Sequence, residues 1–222
     1  MSARVRGFFC PGTLLWLWLL LWPPLSLAGD LAPLELAKRL QAQYVTTKSM
    51  AADFQQVTSV PGTSRKRFGA GHVVILKPGR IRWDYETPDR QVLITDGKKA
   101  YLYFASAAQM IVQPVGEYLH SDITYAFFSG SGDIVRDFEV LSPEQPGGAG
   151  LAAIKLVPKK AHPQVAFLHA WVDHAYVLQR LEIVDHFGSV TSLALSNIHR
   201  NEPVGPETFR FTPPPGTEII EQ

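Results

Sequence analysis

The side chains able to do chemistry are scattered along the chain and form no recognisable catalytic set. Seven histidines occur, His72, His120, His162, His169, His174, His186 and His199. None belongs to an HExxH motif or to a histidine pair at helical spacing, so the usual zinc ligand patterns are not encoded. His169, Trp171 and Asp173 repeat with period two, which places them along one strand face and not around an ion. Asp84 and Glu86 also stand two apart, and paired carboxylates can work as acid and base across a glycosidic bond. Arg80 and Arg82 share that face, however, and offer simple ion pairing instead. The Gly-rich run Phe128 to Asp133 has no lysine-serine pair behind it and reads as a helix stop, not a phosphate cradle. No G-x-S-x-G marks a serine nucleophile. Arg65-Lys66-Arg67 and Lys159-Lys160 lack interleaved stacking aromatics and read as solvated turns or rims. The residues therefore predict no enzyme, no metal and no cofactor.

The N-terminus predicts export. Arg4 and Arg6 precede an apolar run from Leu14 to Trp22, and Ser26-Leu27-Ala28 supplies a small-x-small cleavage pattern. Residues 1–28 are expected to be a cleaved secretory signal and residues 29–222 the mature domain, in the periplasm. The apolar run is too short for a convincing membrane span. The single cysteine, Cys10, lies ahead of that run and leaves with it. No disulfide, thiol nucleophile or N-terminal lipid anchor is then expected. Two of the 21 Lys plus Arg lie in the signal and none of the 20 Asp plus Glu, which leaves a formal charge of −1. Such a balance gives no global reason to bind nucleic acid.

Whatever these residues do, strands must position them. One helix is expected over residues 33–44, where Leu36, Leu40 and Tyr44 recur at steps of four behind Pro33. A second helical piece is expected within residues 122–130. Strand signals fill most of the rest, at 50–59, 71–77, 80–86, 90–96, 99–104, 109–115, 136–142, 151–158, 164–173, 178–185, 189–198 and 208–213. Asp96-Gly97 and Asp185 to Gly188 are hairpin turns, and Pro143 to Gly150 is a surface loop. Short connections between successive strands predict one domain with an antiparallel meander, curved and covered by helices. Ile81, Trp83 and Tyr85 alternate with Arg80, Arg82 and Asp84, so one side of this strand is dry. Tyr101 and Tyr103 oppose Leu102 and Phe104, while Phe167, Leu168, Trp171, Phe209 and Phe211 add further bulk. Such a sheet can be a filled barrel or can enclose a ligand cavity, and periodicity does not separate the two.

Several of these segments together resemble the periplasmic outer-membrane lipoprotein carrier family, LolA. They are FQQ (54–56), the block LKPGRIRWDYETPDRQVLITDGKKAYLY (76–103), LVPK (156–159), DHFG (185–188) and FRFTPPPGTEII (209–220). The resemblance implies a mainly β, unclosed antiparallel barrel, or half-barrel, with a helical lid over a hydrophobic cavity. It implies a monomeric carrier that takes the acyl chains of triacylated lipoproteins from an inner-membrane ABC transporter to an outer-membrane receptor. Phe54, Ile81 and Trp83 would line the cavity, and Phe127 and Phe128 would belong to the lid. Where family members have an arginine before the block's proline, holding lid carbonyls, this chain has Lys77. A lysine keeps the charge but loses the planar fork of donors. Lys77 is either a weaker lid latch or a solvated strand-end lysine. A periplasmic sensor of lipids or lipoproteins, or a carrier of another lipid, is the alternative on the same fold. A sensor would be expected to carry a further domain or long extension, and the receptor an N-terminal lipid-bearing cysteine.

Overall fold

The computed structural model describes residues 32–121, 132–144, 147, 148 and 150–222. The expected signal and the helical piece at 122–130, with Phe127 and Phe128, lie outside the described residues. Helix α1 (Pro33–Thr46) begins on the proline that the sequence marked, at a position whose missing N–H costs nothing. Twelve strands follow among the described residues. β1 (Ser49–Ser59), β2 (Lys66–Leu76), β3 (Arg80–Thr87), β4 (Gln91–Asp96), β5 (Lys99–Phe104) and β6 (Gln109–Pro114) form a continuous meander. Then come α2 (Val115–Ser121), a single turn α3 (Ile134–Asp137), β7 (Phe138–Leu141), β8 (Ala152–Pro158), β9 (Phe167–Val172), β10 (Leu178–Val184), β11 (Val190–Arg200) and β12 (Glu218–Glu221).

All twelve belong to one sheet in the order β12-β6-β5-β4-β3-β2-β1-β11-β10-β9-β8-β7. The sheet is unclosed. Every pairing is antiparallel except β12 with β6, which is parallel. The two expected turns form: Asp96 Oδ1 accepts the Lys98 and Lys99 N–H groups, and Asp185 Oδ1 accepts those of Phe187 and Ser189. Gly97 and Gly188 take the positive φ each turn requires.

Directly paired residues share a face, so the register sorts the side chains. Val73, Trp83, Leu93 and Leu102 form one row across β2 to β5. This is the inner face, where Leu36, Ala37 and Leu40 of α1 join Phe54, Ile81, Leu156, Leu168 and Leu181 in the main core. The outer face carries a second, smaller core of Val92, Ile94, Tyr103, Met110, Val112 and Phe209.

Three sequence expectations need correction. Residues 208–213 are not a strand: Pro206–Phe209 is a 3-10 turn, and the last strand is Glu218–Glu221. Prolines at 206, 213, 214 and 215 remove the donors a ladder needs. Phe209 and Phe211 alternate because both anchor a strap on the outer face, Phe211 meeting the Tyr103 ring at 5.1 Å, instead of filling the barrel. The segment expected as a strand at 136–142 starts two residues late, at Phe138, because Asp133 caps α3, accepting the Arg136 N–H at 2.8 Å. Strand β2 begins at Lys66 and not at 71 as expected, so of the two readings, turn or rim, Lys66 and Arg67 take the second, exposed at the strand's end.

Candidate functional site

Of the residues expected to line a cavity, Phe54, Ile81 and Trp83 all fall on the inner face and all are buried. Phe54 and Trp83 are brought together, their ring centroids 5.0 Å apart, and Tyr85 packs edge-on to Phe54 at 4.8 Å. Ile81 lies deeper in the packed core, its N–H donated to Thr95 Oγ1 at 3.1 Å. Of the three, Trp83 borders open space.

That space is a cavity of about 240 Å³ over β3 to β5. Trp83, Tyr85, Leu93, Leu102 and Tyr118 supply its apolar surface, with Gln56 and Gln91 on its border. Tyr85 O–H donates to Gln56 Oε1 at 2.9 Å, fixing the ring at the border between dry and wet. Two glycines of β2 make room here, one for the Tyr85 ring and one for the backbone of β3. A Cβ on Gly69 would come within 3.1 Å of the Tyr85 ring, and one on Gly71 within 1.9 Å of the Asp84 carbonyl. Leu93 and Leu102 alternate on their strands as Trp83 does on β3, but only the register shows that the three form one row. Tyr118 had no signal, because its helix lies past the end of a strand-like run.

Lys77 sits at the other end of the strands, in the turn between β2 and β3. Its Nζ donates to the Tyr44 carbonyl in the last turn of α1 and stands 3.2 Å from the centroid of the Tyr44 ring. Helix α1 has no basic residue of its own in that turn. Lys77 thus supplies from another element the positive charge that a helix C-terminus favours. The Thr46 and Thr47 hydroxyls also donate to carbonyls of this turn. Partial burial lowers the Lys77 ammonium from its ordinary 10.5 to about 8.

The polar residues weighed for catalysis are engaged elsewhere. Arg82 grips Asp84 through two hydrogen bonds of 2.6 and 3.0 Å on the outer face and donates to the Thr208 carbonyl at 3.0 Å. Glu86 stands 3.4 Å from His72 Nε2. His169 contacts Glu144 at 2.6 Å on the outer face. Among the described residues no three His, Cys, Asp or Glu side chains converge as a metal site would require.

Comparison with known proteins bears on this geometry. Residues 45–212 match the family described as outer membrane lipoprotein carrier protein LolA. The outer-membrane lipoprotein carrier protein of Methylobacillus flagellatus is 30% identical over 183 residues, 82% of this chain and 86% of the relative. That of Methylibium petroleiphilum is 28% identical over 198 residues, 89% of this chain and 95% of the relative. An uncharacterized conserved protein from Thermus thermophilus superposes with a TM-score of 0.52 at 14% identity, covering 85% of this chain and 98% of its own. That last likeness concerns the fold alone.

Proposed function

The chain belongs to the LolA family of outer membrane lipoprotein carrier proteins, and from that membership we propose a periplasmic carrier that shelters lipoprotein acyl chains on its inner face. The observation that carries this reading is the unfilled space beside Trp83, Tyr85, Leu93 and Leu102 on the apolar inner face. Each acyl methylene favours burial by about 0.8 kcal/mol, so chains crossing water need such a surface. No bond is made or broken.

The cavity of about 240 Å³ falls below the ~300–1,000 Å³ of sites that hold drug-sized ligands. Several acyl chains therefore require the covering elements to move. A cover that closes on the empty face competes with cargo for the same apolar surface, which holds affinity to a level compatible with release. In this reading Trp83 stands at the floor, Phe54 and Ile81 back it from the core, and Phe127 and Phe128 belong to the lid. Lys77 is the latch, acting on the end of α1.

The chain is exported on residues 1–28 and cleaved near Ala28. It receives triacylated lipoproteins from an inner-membrane ABC transporter and delivers them to an outer-membrane receptor. The test is a release assay on spheroplasts loaded with a triacylated lipoprotein, using the purified mature protein and a non-acylated lipoprotein as control. Acyl-dependent appearance of a soluble one-to-one complex is expected. No release from spheroplasts whose transporter is active would sink the carrier reading.

A further inference from the structure

The two ends of the sheet differ in what they show to solvent. At one end lie the connections 60–65, 88–90, 105–108, 159–166 and 185–189. They carry Arg65, Arg90, Lys159 and Lys160 against Asp89 and Asp185, and α3 at the same end adds Arg136 with Asp133 and Asp137; Asp185 is occupied in capping its own turn and Asp137 is paired with Arg136. Lys66 and Arg67 open β2 at the same end. Among the described residues Arg65, Lys66 and Arg67 make no ion pair. The opposite end sets Lys48, Lys77 and Lys98 against Glu144, Asp173 and Glu202, a balanced mixture.

The basic end also holds the most exposed large apolar side chain described, Phe187, at 88%. Phe68 at 64% and Val60 at 42% stand on the neighbouring hairpin. The two turns adjoin, since a Cβ on Gly188 would meet Pro61 Cγ at 3.3 Å. An aromatic tip with no packing role, flanked by unpaired cations, has no rationale within the fold. It has the composition of an interfacial anchor, whose apolar side chains enter the headgroup boundary while its cations meet anionic lipid.

A second feature points to the same end. An open hollow between β1 and β3, bordered by Thr58, Arg67 and Pro88, shares Gln56, Tyr85 and Gln91 with the cavity beside Trp83. The cavity therefore communicates with the basic rim through a hollow of mixed polar and apolar lining.

We propose that this rim docks the protein on an anionic lipid bilayer, with Phe187, Phe68 and Val60 dipping into the surface and Arg65, Lys66 and Arg67 on the headgroups. Docking there turns the hollow that leads to the cavity toward the membrane, so acyl chains pass through it between bilayer and floor. That last step rests on the carrier reading; the docking itself does not. The chain as a whole is nearly neutral, so the attraction is local, short-ranged and reversible. At physiological ionic strength it reaches roughly 8 Å.

The test is co-sedimentation of cargo-free protein with vesicles of phosphatidylglycerol and phosphatidylcholine in equal parts, beside vesicles of phosphatidylcholine alone. Binding to the anionic vesicles only, weakened by salt, is expected. The triple change Arg65→Gln, Lys66→Gln, Arg67→Gln should lower partitioning on the order of a hundredfold. Phe187→Ser should lower it about tenfold. Val45→Ser, which removes an exposed apolar side chain on α1, should leave it unchanged. All of these positions are exposed, and matched unfolding midpoints verify the fold.

Absence of vesicle binding, equal binding to neutral vesicles, or equal losses from Val45→Ser would each overturn the proposal. If vesicles are ignored while the rim changes still block lipoprotein release from spheroplasts, the rim faces a protein partner and the bilayer assignment falls. Because cargo-free protein is used, either failure leaves the carrier reading to its own assay.

Discussion

The inner face is one continuous surface with two unlike halves. Toward β7, helix α1 lays Leu36, Ala37 and Leu40 onto Ile154, Leu156, Leu168, Ala170 and Leu181, and those five strand residues are fully buried. Toward β5, the floor is Trp83, Tyr85, Leu93 and Leu102, and the space above it stays partly empty. Composition explains much of the difference. Small and branched aliphatics interdigitate to native density. Planar rings tied at one edge, as Tyr85 is to Gln56, cannot collapse to fill what lies beside them. The filled half is the scaffold on which the unfilled half can stay open.

Substitutions can break or sharpen that contrast. The largest effect is expected from Leu168→Ala, which empties a site in the filled half. It should cost about 2–5 kcal/mol in urea unfolding while the surviving folded fraction still takes up lipoprotein. A loss much below that range would mean the filled half is looser than its burial indicates.

The next contrast is a pair of enlargements. Ala170→Leu adds volume where none is free and should cost about 1–3 kcal/mol. Leu93→Phe grows into the cavity and should change stability by less than about 1.5 kcal/mol, yet reduce lipoprotein release in the spheroplast assay. If the two cost the same, or if Leu93→Phe spares release, the halves are not distinct in the way described.

The smallest effect concerns Lys77, the proposed latch. Unfolded, Lys77 binds its proton near the ordinary 10.5; folded, burial brings that value to about 8. Between these values the unfolded chain holds more protons, so stability should rise with pH from about 8 towards 10.5 and be flat in this respect below about 8. Lys77→Met should abolish that slope and weaken hydrogen-exchange protection in the last turn of α1. Parallel pH profiles for the two proteins would count against a buried Lys77, and unchanged protection against its role as a latch.

Much of this architecture was legible in the sequence because period-two alternation reports which side of a strand is dry. Ile81, Trp83 and Tyr85 announced the inner face, and Asp96-Gly97 and Asp185 to Gly188 announced their turns. What alternation cannot report is which dry side of a sheet is inner. Phe209 and Phe211 carry the same signature as Trp83, yet they clamp an outer strap. Nor does it report register, and only register joins Trp83 to Leu93 and Leu102. The polar end of Lys77's interaction was out of reach for a different reason. Its acceptor, the Tyr44 carbonyl, lies 33 residues away in sequence and belongs to the backbone, where residue type leaves no mark.

An unclosed sheet has two ends that a barrel would not. Among the described residues β7 and β12 each have a single neighbour, so each turns a row of backbone donors and acceptors outward. Such a row invites another chain to add itself. Both strands are only four residues long, and acidic side chains, Glu139 on β7 and Glu218 and Glu221 on β12, sit on them. A recruit would find few rungs to hold and a repelling charge at each, so the fold can widen without a seam to rupture and without templating its own aggregation.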